Sequence, residues 1–370
     1  MNEIETVIIF FAFLFAGSLL YRAKRKHESL LSFLENLELE YIFVGIAIFS
    51  MTGSLPVPVP TMNGMLYLLL AFMGLSLGTH FSVKLLLTVP LRYFIFTGIV
   101  YLSLLPLLYV VVRVSGFSSP MMTAIALNTL MPYSLNLSMK LFRVPKDKVF
   151  TSNLTASLFP LYTLLAYSVA GGILDYRPSD FLFSMMAALV LAFIFLHYGK
   201  IRSKKNIHNL SIIYVVMISG VALFFSMSPL VVGFLTGLIT SDTKYGNIFQ
   251  NMSISFERIL YIFFYVALGV MLAYGYSFSP GAFLTAGVLY LCFFAVRFYM
   301  AKLLAWRLIP TKGEVICLVS TGILPAVLFM DFATRRGYEA VAGLFVPFFM
   351  LHLATEITTY FMMKNERKTY

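Results

Sequence analysis

Cut at its charges, prolines and glycines, the chain falls into about thirteen apolar stretches, most of them near the roughly 20 residues a helix needs to cross a bilayer. They run approximately over 6–21, 41–58, 62–82, 92–113, 118–142, 148–174, 180–198, 210–225, 227–241, 257–276, 281–302, 314–334 and 339–363. In a chain of 370 residues this leaves little for any soluble domain. Charged residues make up 12% of it, about half the share of a soluble domain, so most of its surface is expected to face lipid. The expected fold class is all-α, a polytopic membrane protein. Cys292 and Cys317 both fall inside apolar runs, which argues against a disulfide framework or a cysteine metal site.

A signal peptide carries cations before its apolar core, whereas here Glu3 and Glu5 precede the first stretch and Arg22, Lys24, Arg25 and Lys26 follow it. It reads as a retained span. Threaded alternately through a bilayer, the chain places 22 of its 27 Lys and Arg on one face. Arg113, Arg177, Arg335 and Arg336 fall opposite, and Arg297 lies inside a span. This bias makes the crowded face cytoplasmic, with the N-terminus outside the cell membrane and the C-terminus inside. The excess of cations then marks topology, and no nucleic-acid partner is expected. The ninth stretch is short, but leaving it out would flip everything after it and weaken the bias. The segment 22–40 reads either as an interfacial amphipathic helix or as a solvated connector. Lys200 to Asn209 reads as a polar hinge between two halves.

Two stretches carry a proline near mid-span beside small polar residues. The fifth contains Asn128-Thr129-Leu130-Met131-Pro132-Tyr133-Ser134-Leu135-Asn136, and the twelfth Ser320-Thr321-Gly322-Ile323-Leu324-Pro325-Ala326. A proline removes the hydrogen bond to the carbonyl four residues back, so Pro132 frees the carbonyl of Asn128 and Pro325 that of Thr321. Lipid cannot satisfy such groups, and they must face protein, water or a bound solute. Either proline alone means no more than a kink. Together they hold the fifth place in each of two six-span sets and cross in opposite directions. That pattern predicts two inverted six-helix repeats with crossed broken helices, a recurring plan of secondary transporters. The expected divisions are a first repeat over 1–175, a linker span and basic loop over 176–209, and a second repeat with a short cytoplasmic tail over 210–370.

The stretch from Leu66 to Gly78 reads LYLLLAFMGLSLG, Val232 to Leu238 reads VGFLTGL, and Phe263 to Gly269 reads FFYVALG. These resemble the third-helix, "GaFlaGl" and "FFxxxLG" segments of the cation:proton antiporter superfamily, and Arg297 sits where that superfamily places a basic residue. The resemblance runs from about Met62 to Phe361 and implies a sodium/proton exchanger-like membrane domain. It further implies alternating access, with a core of spans 3 to 6 and 10 to 13 moving against a scaffold that includes the seventh helix and often a homodimer partner. In the sodium/proton members the span after the first broken helix carries an Asp-Asp or Asn-Asp pair that binds cation and proton. Here that place reads Thr155-Ala156-Ser157-Leu158-Phe159-Pro160, with no carboxylate. Ser, Phe and Pro do not titrate near neutral pH. The region from Met131 to Thr163 is also similar to the bile-acid and auxin-efflux carrier branch, which uses a polar broken-helix core without that pair.

An ionisable residue at the centre of a span costs about 2.5–3.5 kcal/mol on insertion, so the few present are candidates. Arg297 and Glu356 lie at similar depth, Glu356 one turn from His352. Either the two form an intramembrane ion pair, with His352 or Glu356 as a titratable group, or Arg297 snorkels and Glu356 faces a cytoplasmic vestibule. Asp331 is another titratable candidate, or else an acid paired locally with Arg335 and Arg336. The neutral oxygens of Asn128, Thr129, Asn136, Asn153, Thr155, Ser157, Ser320 and Thr321 suit a partly dehydrated alkali cation, although each taken alone is a helix-packing residue. Gly233 and Gly237 have the GxxxG spacing of close helix packing. No HExxH, GxSxG, GxGxxG or Walker sequence supports an enzyme or an ATP-driven pump.

The expected function is a secondary active transporter, most simply a monovalent cation/proton antiporter. Its expected partners are membrane lipid, the cation and the proton, with no cofactor and no metal beyond the transported alkali cation. A sodium-coupled organic-anion carrier fits the missing carboxylate pair and Arg297. A non-transporting degenerate member of the fold is the third reading.

Overall fold

The computed structural model describes residues 40–52, 59–81, 83–117, 119–130, 139, 146–174, 179–201, 207–274, 280–300, 302–303 and 319–368. The first expected span, nearly all of the 22–40 segment, Pro132, Asn136 and Cys317 lie outside the described residues. Every regular element among the described residues is helical. In chain order these are α1 (Glu40–Thr52), α2 (Val59–His80), α3 (Val83–Thr88), α4 (Leu91–Val114), α5 (Pro120–Leu127), α6 (Lys146–Leu174), α7 (Ser179–Ile201), α8 (Ile207–Phe224), α9 (Pro229–Thr240), α10 (Lys244–Tyr274), α11 (Pro280–Phe294), α12 (Leu324–Arg336) and α13 (Glu339–Lys368). A π-helical turn, Ala295–Met300, continues α11.

Much of the described surface is apolar, and several ionisable side chains are buried. Leu87, Val114 and Phe224 are each more than four-fifths exposed, while Arg297, Asp331, His352 and Glu356 are buried. That inversion suits a lipid solvent, which accepts apolar side chains and leaves polar ones to find partners inside. Leu91–Val114, Gly281–Met300 and Gly343–Lys364 are each long and apolar enough to cross a membrane. The protein is membrane-embedded.

The short ninth stretch becomes α9, whose 12 residues rise about 18 Å, well under the roughly 30 Å hydrocarbon core. It is nevertheless buried along almost its whole length, so protein and not lipid surrounds it. Its ends are chemically closed. Ser228 caps the first turn by accepting from the Val231 amide at 3.1 Å, and the Thr236 and Thr240 hydroxyls donate to carbonyls of their own helix.

Glycine sets how close the helices come. A Cβ on Gly233 would lie 2.5 Å from the Ala71 carbonyl oxygen, and one on Gly237 would lie 2.5 Å from that of Leu75. Facing them on α2, Gly74 and Gly78 have no room for a side chain against the carbonyls of Leu230 and Phe234. The GxxxG pair of α9 therefore meets a second GxxxG pair on α2, and the two backbones touch. A reciprocal crossing joins α1 to α10, where Gly45 faces the Val266 carbonyl and Gly269 faces that of Ile42.

Two groups of helices result. In one, α2 packs on α9 and α8, and α10 on α1, with α7 lying against α9. In the other, α4, α5 and α6 pack on one another, α13 packs on α11 and α12, and the halves join through α4–α11 and α5–α12 contacts. The family resemblance implied that α2 and α10 belong with the broken helices; they pack most extensively on α9 and α1 instead, because their glycines face those helices. Where the groups meet, α2 lies on α12 and α10 on α13.

Replacing Gly233 with Ala should therefore force α2 and α9 apart and cost about 1–3 kcal/mol, as overpacking typically does. At Gly220 and Gly287 an added Cβ would meet nothing within 4 Å, so Ala there should leave stability nearly unchanged. Thermal unfolding of the detergent-solubilised protein compares the three variants.

Candidate functional site

Two helices have an end inside the second group, α5 its last turn and α12 its first. α5 ends at Leu127, and Asn128 closes it with its amide on the Ala124 carbonyl, after which Thr129 and Leu130 are not helical. Before α12, residues 319–323 are likewise non-helical, and Gly322 turns the chain with φ +67°, a conformation an L side chain adopts poorly. Pro325 sits in the first turn of α12, where its missing N–H would have had no helical partner. It starts a helical segment and does not kink a continuous one. Pro106, Pro160 and Pro347 lie within helices that run on unbroken. Proline alone did not locate the break; the small polar residues upstream of it did.

Arg297 stands where the two breaks meet. It lies in the π-helical turn of α11 and is completely buried. Its Nη2 donates to the Thr129 carbonyl at 2.9 Å and to Asn128 Oδ1 at 3.4 Å, and its Nη1 to the Ser320 carbonyl at 3.4 Å. The Asn128 amide is oriented for this by its own Nδ2, which donates to the Tyr101 carbonyl of α4 at 2.7 Å. The guanidinium carbon lies 4.3 Å from the Phe293 ring centroid and 5.0 Å from that of Phe159. A buried cation needs electron-rich neighbours. Carbonyls released by the end of α5, and two aromatic faces, provide them. Burial excludes the snorkelling alternative for Arg297. On α11 the buried stripe Ala286, Leu289 and Phe293 continues at helical spacing onto Arg297, so the guanidinium lies on the inward face of its helix.

A second polar cluster adjoins the first through Ser320. While the Ser320 carbonyl accepts from Arg297, its hydroxyl donates to Glu356 Oε1. His352, one turn earlier on α13, brings Nδ1 within 3.0 Å of the Thr321 hydroxyl and 3.7 Å of Glu356 Oε1. The Thr321 and Thr355 hydroxyls lie 3.3 Å apart, and the Tyr265 hydroxyl of α10 reaches His352 Nε2 at 3.4 Å. The imidazole is stacked between Tyr265 and Phe348. Glu356 is fully buried, so the vestibule alternative does not describe it either.

Asp331 is equally buried but differently occupied. Its Oδ1 accepts from Ser228 at 2.8 Å, and its Oδ2 from Tyr167 at 3.0 Å and from Arg335 at 3.2 Å. This joins α12 to α6 and to the capped start of α9. The local pairing with Arg335 is present, and with it come two partners from distant helices. On α6, Ser157 spends its hydroxyl on the Asn153 carbonyl at 2.7 Å, and both residues are half-buried.

Asn128, Thr129, Arg297, Ser320, Thr321, His352 and Glu356 thus converge, whereas Asp331 belongs to a separate network. Sequence reasoning did not single out Phe159, Phe293, Tyr265, Thr355, Tyr167 or Ser228. Tyr265 lies inside the FFYVALG segment, Thr355 is three residues after His352, and Ser228 precedes Pro229 in the Ser-Pro pattern of a helix start; those signals were available. The aromatic partners of Arg297 left no trace among 37 phenylalanines.

No protein-family profile and no curated protein matches the sequence. Among solved structures, that of the sodium proton antiporter MjNhaP1 from Methanocaldococcus jannaschii at pH 8 matches with a TM-score of 0.67 at 14% identity, covering 97% of this chain and 100% of that one. The chain therefore has an all-α membrane fold like that of a cation:proton antiporter.

Proposed function

We propose that this protein is a secondary active transporter that exchanges a monovalent cation for protons by alternating access. The observation that carries the reading is the meeting of two helix ends and their non-helical flanks around buried polar and charged groups, inside an antiporter-like fold. Interrupted backbone at membrane depth is tolerated where it lines a solute path, and the neutral oxygens gathered there suit a partly dehydrated alkali cation. Asn128, Thr129, Ser320 and Thr321 are the proposed ligands, with Arg297 fixing the two breaks relative to each other. Asn136, Asn153 and Ser157 belong to the same proposal as residues along the path.

The two inverted repeats remain part of the proposal. The reciprocal glycine crossings support it, since exchanging the two halves of the chain maps α2–α9 onto α10–α1. So does the packing of α4 with α6 and of α11 with α13. The glycine-locked helices would form the scaffold, and the group holding the breaks would move against it. The proposal includes an N-terminus outside the cell membrane and a C-terminus in the cytoplasm, a reading supported by the cation bias. A second reading, sodium-coupled carriage of an organic anion, is favoured by one observation: α6 offers Phe159 and not a carboxylate to the guanidinium.

Purified protein in liposomes with an internal pH dye tests the choice. Sodium, potassium or lithium added outside should make the interior more alkaline. A silent dye with sodium uptake that depends on an added organic anion would support the second reading, and silence in both assays would sink both. Arg297→Lys keeps the charge but loses the planar fork and the ring stacking, so exchange should fall by about tenfold or more while the variant remains monodisperse on gel filtration.

A further inference from the structure

The exchange reading leaves open which group carries the proton. Among the described residues the fully buried carboxylates are Asp331 and Glu356. Their surroundings separate them. Asp331 accepts three hydrogen bonds spread over both oxygens, one of them from an arginine, and ties three helices together. A carboxylate so engaged is a structural clasp, because binding anything else would first require breaking those bonds. Glu356 accepts from the Ser320 hydroxyl on Oε1, with the Gly322 backbone amide also turned toward the carboxylate, and its Oε2 has no hydrogen-bond partner among the described residues.

A buried oxygen without a partner is costly, and the cost falls when it is protonated or when a cation sits beside it. Around Glu356 stand the oxygens that such a cation would need. Ser320 and Thr321 come from the break before α12, and Thr355 comes from α13 itself. Among the described residues the ionisable and charged groups facing it are few. They are His352 on its own helix, Arg297 from the turn after α11 by way of Ser320, and Tyr265 from α10 by way of His352. From α6, by contrast, the side chain that reaches the guanidinium is the ring of Phe159.

We propose that Glu356, on the last helix, is the group that binds the transported proton and, after losing it, the monovalent cation. His352 and the hydroxyls of Ser320, Thr321 and Thr355 complete that site. The assignment rests on the exchange reading and adds to it the residue where proton and cation compete. In the proton-loaded state one Glu356 oxygen carries the proton and the site is uncharged there. A cation entering among the hydroxyls displaces that proton to the open side, and the carboxylate left behind is neutralised by the cation. Both loaded states leave the Glu356 site itself neutral and the charge of Arg297 beside it unchanged, whereas emptying the site leaves a desolvated carboxylate with no ligand on it. Crossing is therefore easy when loaded and hard when empty, which is the condition for coupled exchange. Ser320 makes the occupancy matter to the fold. Its hydroxyl reads the state of Glu356 and its carbonyl holds Arg297, so loading is felt at the point where both breaks are joined.

The test uses the full chain in liposomes with an internal pH dye, pulsed with sodium, potassium or lithium over a range of pH. Glu356→Gln should lower the cation-driven proton movement by about tenfold or more, since an amide has no proton to exchange. Glu356→Asp should retain movement with a displaced pH midpoint. A wild-type chain that moves no protons for any of the three cations overturns the exchange reading and this assignment with it. A wild-type response that persists in Glu356→Gln with its pH profile unchanged overturns the assignment alone. Should Glu356→Gln fail to give a monodisperse protein, Glu356→Asp decides: a displaced midpoint supports the assignment and an unchanged one overturns it.

Discussion

A guanidinium bonded to non-helical backbone beside two helix ends is the interaction on which the interior of this protein depends. Neither side of it is stable without the other. Carbonyls freed at membrane depth have no water to turn to, and an arginine at that depth has no counter-ion in lipid. Placing Arg297 between Thr129 and Ser320 satisfies both requirements at once. The polar residues at each break follow from that placement, since the breaks need residues small enough to let the chain pass close by.

The two helix groups differ in the chemistry of their contacts. Around the breaks, helices are joined by hydroxyls, an amide, an imidazole, a guanidinium and a carboxylate. In the other group they are joined by backbone against backbone. Asp331 stands on the boundary, holding α12 to α6 and to the first turn of α9. Any movement of the broken helices against α9 has to reckon with that clasp, so the two networks that share α12 are mechanically connected even though they share no residue.

Much of this was legible in the sequence because bilayers impose strong patterns. Apolar length gave the spans, the GxxxG of α9 gave a close crossing, and a proline preceded by Ser-Thr-Gly marked the second break. Asn128, Thr129, Ser320, Thr321, His352 and Glu356 come together because each had so few alternatives in an apolar chain. What sequence could not supply was the pairing between segments far apart. Which acid was a clasp and which stood beside the break depended on partners 36 to 164 positions away in the chain. Membership of α2 and α10 was misjudged for a related reason. A glycine shows that something comes close but not which helix does.

The glycine crossings also bear on what association costs. Side chains that become fixed at an interface lose rotamer freedom, and glycine has none to lose. Between α2 and α9 the contact is made by atoms that were already immobile once each helix had formed. In lipid, where no water is released to drive helices together, an interface that gives up almost no entropy can hold with dispersion and weak polar contacts alone. At the glycines it also has no side chain that could repack into a second arrangement. Rigidity of that half of the protein thus comes from what its residues lack.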